Sequence, residues 1–264
     1  MKTFSIASWL LLLCAITVQV TAQTTVDQLG QSGKFRISDG SGDKDDNRIT
    51  VEVDFVQEEP SSSTDHGTQT VANQDFTITS VGDTTIQGVG AFLTQFKTTL
   101  VTSGTKTTYG TLRMDFYRFT QAGTITTGTE SWDVANNDVK INLYLDNWSF
   151  DTSSTFVDVG VIIKGRKDTA SESGSNKFNL GSNVPLLLSG RVSIDGVEKD
   201  MATGYPTYRQ TGNKASFVFR FDKFSGFASY DPIIGYSSAC ATACDLALQY
   251  ISNAFTSVKS FVGF

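Results

Sequence analysis

The sequence predicts an all-β protein: an antiparallel two-sheet β-sandwich, with a closed β-barrel as the alternative, followed by a C-terminal amphipathic helix. Three observations support this fold. Apolar and polar residues alternate in many short segments, so one face of each segment meets a core. Glycine- and serine-rich stretches separate the segments, and no helical periodicity interrupts them before residue 237. Short strands with such connections favour antiparallel sheets.

The first residues predict export. Lys2 precedes an apolar run centred on residues 9–13, and the run fades into small residues that fit cleavage after Ala22. The run is shorter than the roughly 20 apolar residues that a bilayer span needs, and polar residues break it. We therefore expect residues 1–22 to be a removed signal peptide, and we expect no transmembrane span in the mature chain.

Composition narrows the class of protein to which the exported part can belong. Removal of Lys2 with the signal peptide changes the formal net charge from −6 to −7, and the remaining lysines are scattered, so we expect no nucleic-acid partner. The full chain has 19 Phe, 8 Tyr and a charged fraction of only 18%, a composition typical of a chain that folds around a core. We expect one β domain over residues 23–236.

The earlier strands are predicted from composition and alternation. One segment shows clear period-two alternation and is expected to bury a single row of side chains, Ile49, Val51, Val53 and Phe55. Weaker strand candidates are rich in residues that suit a pleated, half-buried surface, at 34–38, 75–81, 86–101 and 108–126. All of these segments fit strands of one β domain.

The later strands have stronger signals. Residues 139–145 and 157–163 both alternate, and we expect them to pair with each other across the loop between them. Asp195-Gly196 readily adopts the positive φ angles of a two-residue hairpin turn, which predicts a return strand at 197–201. The last strand is predicted to bury one aromatic row, Phe217, Phe219 and Phe221.

The end of the chain changes period. Over residues 237–264, apolar residues recur at three- and four-residue spacing, which predicts a helix with one apolar face. We expect this face to pack on the sandwich, and docking on a membrane surface or on a partner is the alternative.

Two covalent modifications are predicted. Cys240 and Cys244 are the only cysteines outside the signal peptide, and export to an oxidising compartment favours a disulfide, although their spacing would strain it within a regular helix. Asn147 begins an Asn-Trp-Ser glycosylation sequon. We expect a change of strand phase just before it, which turns Asn147 outward and buries Trp148.

Metal and histidine chemistry have little support. Asp43, Asp45 and Asn47 have the spacing of oxygen ligands for calcium, but Arg48 stands where an EF-hand loop needs glycine. A looser calcium site and a solvated acidic turn are the two alternatives, and we expect no other cofactor. His66 is the only histidine, so we expect neither histidine-dependent catalytic triads nor the usual zinc sites.

Aromatic residues in predicted polar loops are the clearest binding signal. Trp132, Tyr205 and Tyr208 have polar neighbours that could bond sugar hydroxyls while the rings stack on a sugar face; closure of the sandwich ends is the alternative. The sequence predicts a secreted, non-catalytic extracellular or cell-surface module for recognition, adhesion or matrix assembly, with a glycan or an extracellular protein as partner. A glycan-active hydrolase with two carboxylates is the alternative function.

Overall fold

The computed structural model describes residues 23–30, 32–38, 48–59, 69–71, 74–101, 108–127, 130–151, 154–165, 171–174, 177–180 and 184–235. Several predicted features lie outside these residues: the signal peptide at 1–22, the candidate calcium ligands Asp43, Asp45 and Asn47, and the helix at 237–264 with Cys240 and Cys244. They remain predictions.

The described residues form twenty β-strands. In chain order they are β1 (Thr25–Gln28), β2 (Lys34–Ser38), β3 (Arg48–Glu59), β4 (Gln69–Thr70), β5 (Thr77–Ile86), β6 (Val89–Val101), β7 (Thr108–Phe119), β8 (Gly123–Thr127), β9 (Glu130–Val134), β10 (Val139–Asp146), β11 (Phe156–Lys164), β12 (Ser171–Gly174), β13 (Lys177–Asn179), β14 (Pro185–Leu187), β15 (Arg191–Ile194), β16 (Val197–Asp200), β17 (Thr207–Thr211), β18 (Lys214–Asp222), β19 (Phe227–Tyr230) and β20 (Ile233–Ile234).

These strands form two antiparallel sheets and one separate hairpin. Sheet A has seven strands in the order β1-β2-β3-β11-β18-β17, with β4 paired to β3. Sheet B has eleven strands: β12-β13-β14-β20-β10-β19-β15-β16 form one path, and β7, β6 and β5 continue from the other side of β10. Strands β8 and β9 pair only with each other. The all-β, antiparallel prediction is confirmed, and neither sheet closes into a barrel within the described residues.

The two sheets face each other across an aromatic core. Phe35 of sheet A is fully buried, and its ring centroid lies 4.7 Å from that of Phe96 and 5.1 Å from that of Phe116, both in sheet B. Further along, the rings of Phe219 and Tyr230 join the two sheets at 4.4 Å. Burial of large aromatic side chains is a main source of stability in such a core. These contacts fit the β-sandwich that the sequence predicts.

The pairing expected for β10 and β11 is wrong. Strand β10 pairs with β7, β19 and β20 in sheet B, whereas β11 pairs with β3 and β18 in sheet A. The connection between them therefore crosses from one sheet to the other. Glu58 of β3 is fully buried and holds this connection, because Glu58 accepts a hydrogen bond from Trp148 Nε1 at 2.7 Å and another from the backbone N–H of Asp151 at 3.1 Å.

The phase change expected at the sequon is confirmed. Strand β10 ends at Asp146, and Asn147 is exposed with a positive φ of 51°. The next residue, Trp148, is buried against Tyr109, with ring centroids 5.6 Å apart. Glycosylation of Asn147 remains a prediction.

The expected burial of Phe55 with the row at 49–53 is wrong. The register between β3 and β11 shifts at this point, since Val161 opposes Val53 while Gly160 opposes Phe55, and Asp54 is the extra residue of a β-bulge. The bulge turns Phe55 to the outer face of sheet A. A Cβ atom on Gly160 would lie only 2.2 Å from Phe55 Cε1, so the ring occupies the space that the glycine leaves.

The hairpin predicted at Asp195-Gly196 is confirmed: both residues have positive φ, and β15 pairs with β16. The Asp195 carboxylate also accepts backbone hydrogen bonds from Ser225 at 2.9 Å, Gly226 at 2.7 Å and Phe227 at 3.0 Å. Because these bonds favour the ionised form, they hold the pKa of Asp195 below its ordinary value of 3.8.

Asp195→Asn should reduce the loss of stability at acidic pH. A carboxyl whose pKa is lowered by folding contributes its full stabilisation above the ordinary pKa and loses it as the pH falls through the folded-state pKa. Asparagine keeps an acceptor and tolerates positive φ but does not titrate. Urea unfolding midpoints measured between pH 2 and 5 should therefore converge for the two proteins toward low pH, and parallel pH profiles would contradict this role of Asp195.

Candidate functional site

Two of the three predicted binding aromatics lie in strands and not in loops. Trp132 is in β9, half-buried, with Lys177 Nζ 5.7 Å from its ring centroid. Tyr208 is in β17, where its ring centroid lies 4.7 Å from that of Phe178 and 5.3 Å from that of Phe217. Both strands are short and rich in polar residues, and this composition also fits a loop.

Tyr205 precedes β17 and is half-buried. The Arg220 guanidinium lies 4.4 Å from the Tyr205 ring centroid, and Asp158 holds this guanidinium through two hydrogen bonds of 2.7 and 2.6 Å. Hydrogen bonding to Asp158 raises the pKa of Arg220, so the cation stays charged over the tyrosine ring. The accessible part of Tyr205 is limited by this arrangement.

The three aromatics do not form one site. Tyr205 and Tyr208 pack against the main core, whereas Trp132 packs against a second, smaller cluster. This second cluster lies on the face of sheet B opposite the main core, where the β8–β9 hairpin covers Phe119 and Ile233. Glycan binding by these residues remains a prediction, and the structure separates Trp132 from the two tyrosines.

An ion pair between a buried lysine and a partly exposed aspartate lies beside the β8–β9 hairpin. Lys140 is 4% exposed, and its Nζ contacts the Asp231 carboxylate and donates to the Asp231 backbone carbonyl at 3.2 Å. Thr127, the last residue of β8, donates a hydrogen bond to the same carboxylate at 3.3 Å. Burial lowers the pKa of Lys140, and the negative charge of Asp231 opposes that shift. The pair fastens the hairpin to sheet B.

Four carboxylates are buried in the described part of the chain, Glu58, Asp115, Asp138 and Asp158, and each has a partner within the fold. Glu58 accepts a hydrogen bond from Trp148, and Asp158 binds Arg220. Asp115 pairs with Arg113, and Asp138 accepts a hydrogen bond from the backbone N–H of Ala135. A hydrolase needs two carboxyl groups that face a substrate across a cleft, whereas the hydrogen bonds and ion pairs of these four carboxylates lie within the fold. Within the described ranges, no cluster of three or more acidic, histidine or cysteine side chains is placed to hold a metal ion.

The longest strand with a free edge among the described residues is β5. This strand pairs only with β6, so its other edge has no strand beside it among the described residues. Its side chains are exposed on both faces for much of its length, including Ile78 at 59% and Val81 at 55%. Asp83 is its only charged residue. A long edge with few charges is a template for pairing with another chain.

Strand β16, at the far end of sheet B, has a different kind of edge. Val197 is 58% exposed there, but the three residues that follow it, Glu198, Lys199 and Asp200, are all charged. Charged side chains on an edge strand discourage pairing with further strands. The contrast identifies β5, and in particular Ser80–Ile86 beyond the bulge at Thr79, as the candidate assembly edge.

The chain matches the model of a known protein family. The family model of the acidic skeletal organic matrix protein matches residues 17–177 and 162–258, which together cover most of the chain. The acidic composition, with an isoelectric point of about 4.8, agrees with the description of this family. In the part of the chain that the structure describes, no helix is long and apolar enough to cross a bilayer. The chain belongs to the acidic skeletal organic matrix protein family.

Proposed function

We propose that this protein is a secreted, non-catalytic building unit of a skeletal organic matrix, and that copies of it join through the free edge of β5. Membership of a matrix-protein family associates the chain with the extracellular matrix. The observation that carries the assembly proposal is the exposed edge of β5, which offers unpaired backbone N–H and C=O groups together with the exposed side chain of Val81.

The occupant that best fits this edge is a second copy of β5. Two identical strands can pair antiparallel about a twofold axis, and each then satisfies the free backbone groups of the other. The Ser80–Ile86 segment is rich in Thr, Val and Ile, which favour strands, and it is long enough for several ladder hydrogen bonds. Its single negative charge, Asp83, opposes pairing only weakly in a salt-containing medium.

The proposal predicts that Val81→Lys weakens self-association by roughly tenfold or more, because an added lysine on an edge strand is a known barrier to edge pairing. Val197→Lys on β16 is the matched control, since Val197 and Val81 have similar exposures of 58% and 55%. Sedimentation equilibrium of the secreted protein over a wide concentration range gives the measurement. A monomeric wild type, or equal effects of the two variants, would contradict assembly through β5.

Glycan binding is a further proposal that does not depend on β5. The supporting geometry is the pair of half-buried rings of Tyr205 and Tyr208, which lie close together in the chain and have Arg220 and Gln210 beside them. Trp132 would belong to a separate site. Calcium binding at Asp43, Asp45 and Asn47, N-glycosylation at Asn147 and a Cys240–Cys244 disulfide also stand as proposals, which are based on the sequence.

A further inference from the structure

Two adjoining pockets open at one end of the sandwich, where the residues leading into β1 meet sheet B. Their volumes are about 160 Å³ and about 460 Å³. They share three lining residues, Gln23, Phe92 and Arg118, and the rest of the lining consists mainly of threonine and asparagine side chains. The larger volume lies within the range of pockets that bind small organic ligands.

Arg118 is the central residue of both pockets. It follows Leu112, Met114 and Phe116 on the core-facing phase of β7 and is only 8% exposed. The guanidinium lies 5.5 Å from the Phe92 ring centroid, and it forms no hydrogen bond or ion pair with any described residue. A guanidinium has five N–H donors, and those of Arg118 line the two pockets without an acceptor among the described residues.

A second buried polar group in the smaller pocket also lacks a partner. The Thr24 hydroxyl has no hydrogen-bond partner, although the Thr24 backbone N–H donates to Asn137 Oδ1 at 3.4 Å. Burial lowers the pKa of Arg118, and Asp83 opposes this shift from a distance too large for an ion pair. The pocket thus presents a partly desolvated cation and a hydroxyl donor, both without acceptors.

We propose that this pocket binds an acidic saccharide unit, with its carboxylate or sulfate on Arg118. The planar fork of an arginine matches an oxyanion through two parallel hydrogen bonds. The hydroxyl and amide groups of the lining suit sugar hydroxyls, and Phe92 offers an apolar ring. The negative charge of Asp83 on the rim of the larger pocket disfavours a densely charged acidic peptide.

Calorimetric titration of the secreted full-length protein with glucuronate, glucose 6-sulfate, glucose and N-acetylaspartate tests this site. We expect one or both acidic sugars to bind roughly tenfold or more tightly than glucose and N-acetylaspartate. The acidic sugar that binds identifies the oxyanion as carboxylate or sulfate. Equal binding of glucose, tighter binding of N-acetylaspartate, or no binding of either acidic sugar would overturn the proposal.

The Arg118→Met variant tests the role of Arg118 in binding independently of its role in folding. Methionine fills similar space without a charge, so this variant should fold with an unchanged or higher melting temperature and lose the acidic sugar by roughly tenfold or more. Arg209→Met on β17 is the control, because Arg209 is exposed and lies in sheet A. Unchanged affinity in Arg118→Met, or an equal loss in Arg209→Met, would overturn the assignment of Arg118.

Discussion

Replacement of Phe35 by alanine should lower the free energy of unfolding by about 3–5 kcal/mol, the range found when a buried phenylalanine is truncated to alanine. Phe35 is fully buried, and its ring contacts those of Phe76, Phe96 and Phe116 at centroid distances of 5.4, 4.7 and 5.1 Å. Two of these rings belong to the opposite sheet. The substitution therefore removes contacts that hold the two layers of the sandwich together.

Urea denaturation followed by tryptophan fluorescence measures this loss. Val197→Ala is the control, because Val197 is largely exposed and its truncation should change the stability by less than about 0.5 kcal/mol. A loss below about 1 kcal/mol for Phe35→Ala would contradict the packing of the two sheets at this point.

Asp231→Ala should destabilise the fold by about 3–5 kcal/mol, because it leaves the ammonium group of Lys140 buried without its counter-charge. The cost should depend on pH. Without Asp231 the pKa of Lys140 falls further, so the folded protein binds fewer protons than the unfolded chain between that lowered pKa and the ordinary lysine pKa of 10.5. Stability of the variant should therefore rise as the pH increases toward that value.

A double-mutant cycle tests the coupling. Lys140→Met removes the buried charge, so the double variant Lys140→Met/Asp231→Ala should recover most of the stability that Asp231→Ala loses. Guanidinium chloride would screen the charges, so urea is the suitable denaturant. If the two substitutions are additive, Lys140 and Asp231 do not stabilise each other, and the pair does not fasten the hairpin.

The sequence predicts individual strands better than their partners. Alternation over 215–221 identified the buried row of phenylalanines, and Asp195-Gly196 identified a hairpin, because both signals are local. Alternation shows that a strand has a buried face, but it does not show which sheet contains the strand. The predicted pairing of β10 with β11 is wrong because its only basis was that the two strands are adjacent along the chain.

Irregular features also escape prediction from the sequence. The bulge at Asp54 inserts one residue into a regular pattern and reverses the facing of Phe55. Trp132 and Tyr208 looked like loop residues because their strands are short and polar, and hydrogen bonding to a neighbouring strand has no local signature.

Both candidate surfaces have a signal in the sequence. Arg118 occupies the apolar phase of Leu112, Met114 and Phe116, and a charged residue in that phase marks a polar group inside the fold. In β5 the apolar residues Ile78, Val81 and Ile86 fall on both phases, which indicates a strand that buries neither face completely. The alternation does not predict which residues surround Arg118, because β1, β5 and β7 come together there only in the folded structure.

The left-handed backbone of Asn147 separates a solvent-facing residue from an interior one across a single peptide bond. Its side chain points into water while Trp148, immediately after it, fills the space beneath Tyr109. A carbohydrate chain on Asn147 would thus extend away from the sandwich without displacing the indole. The interior can therefore close around Trp148 whether or not Asn147 carries a carbohydrate chain.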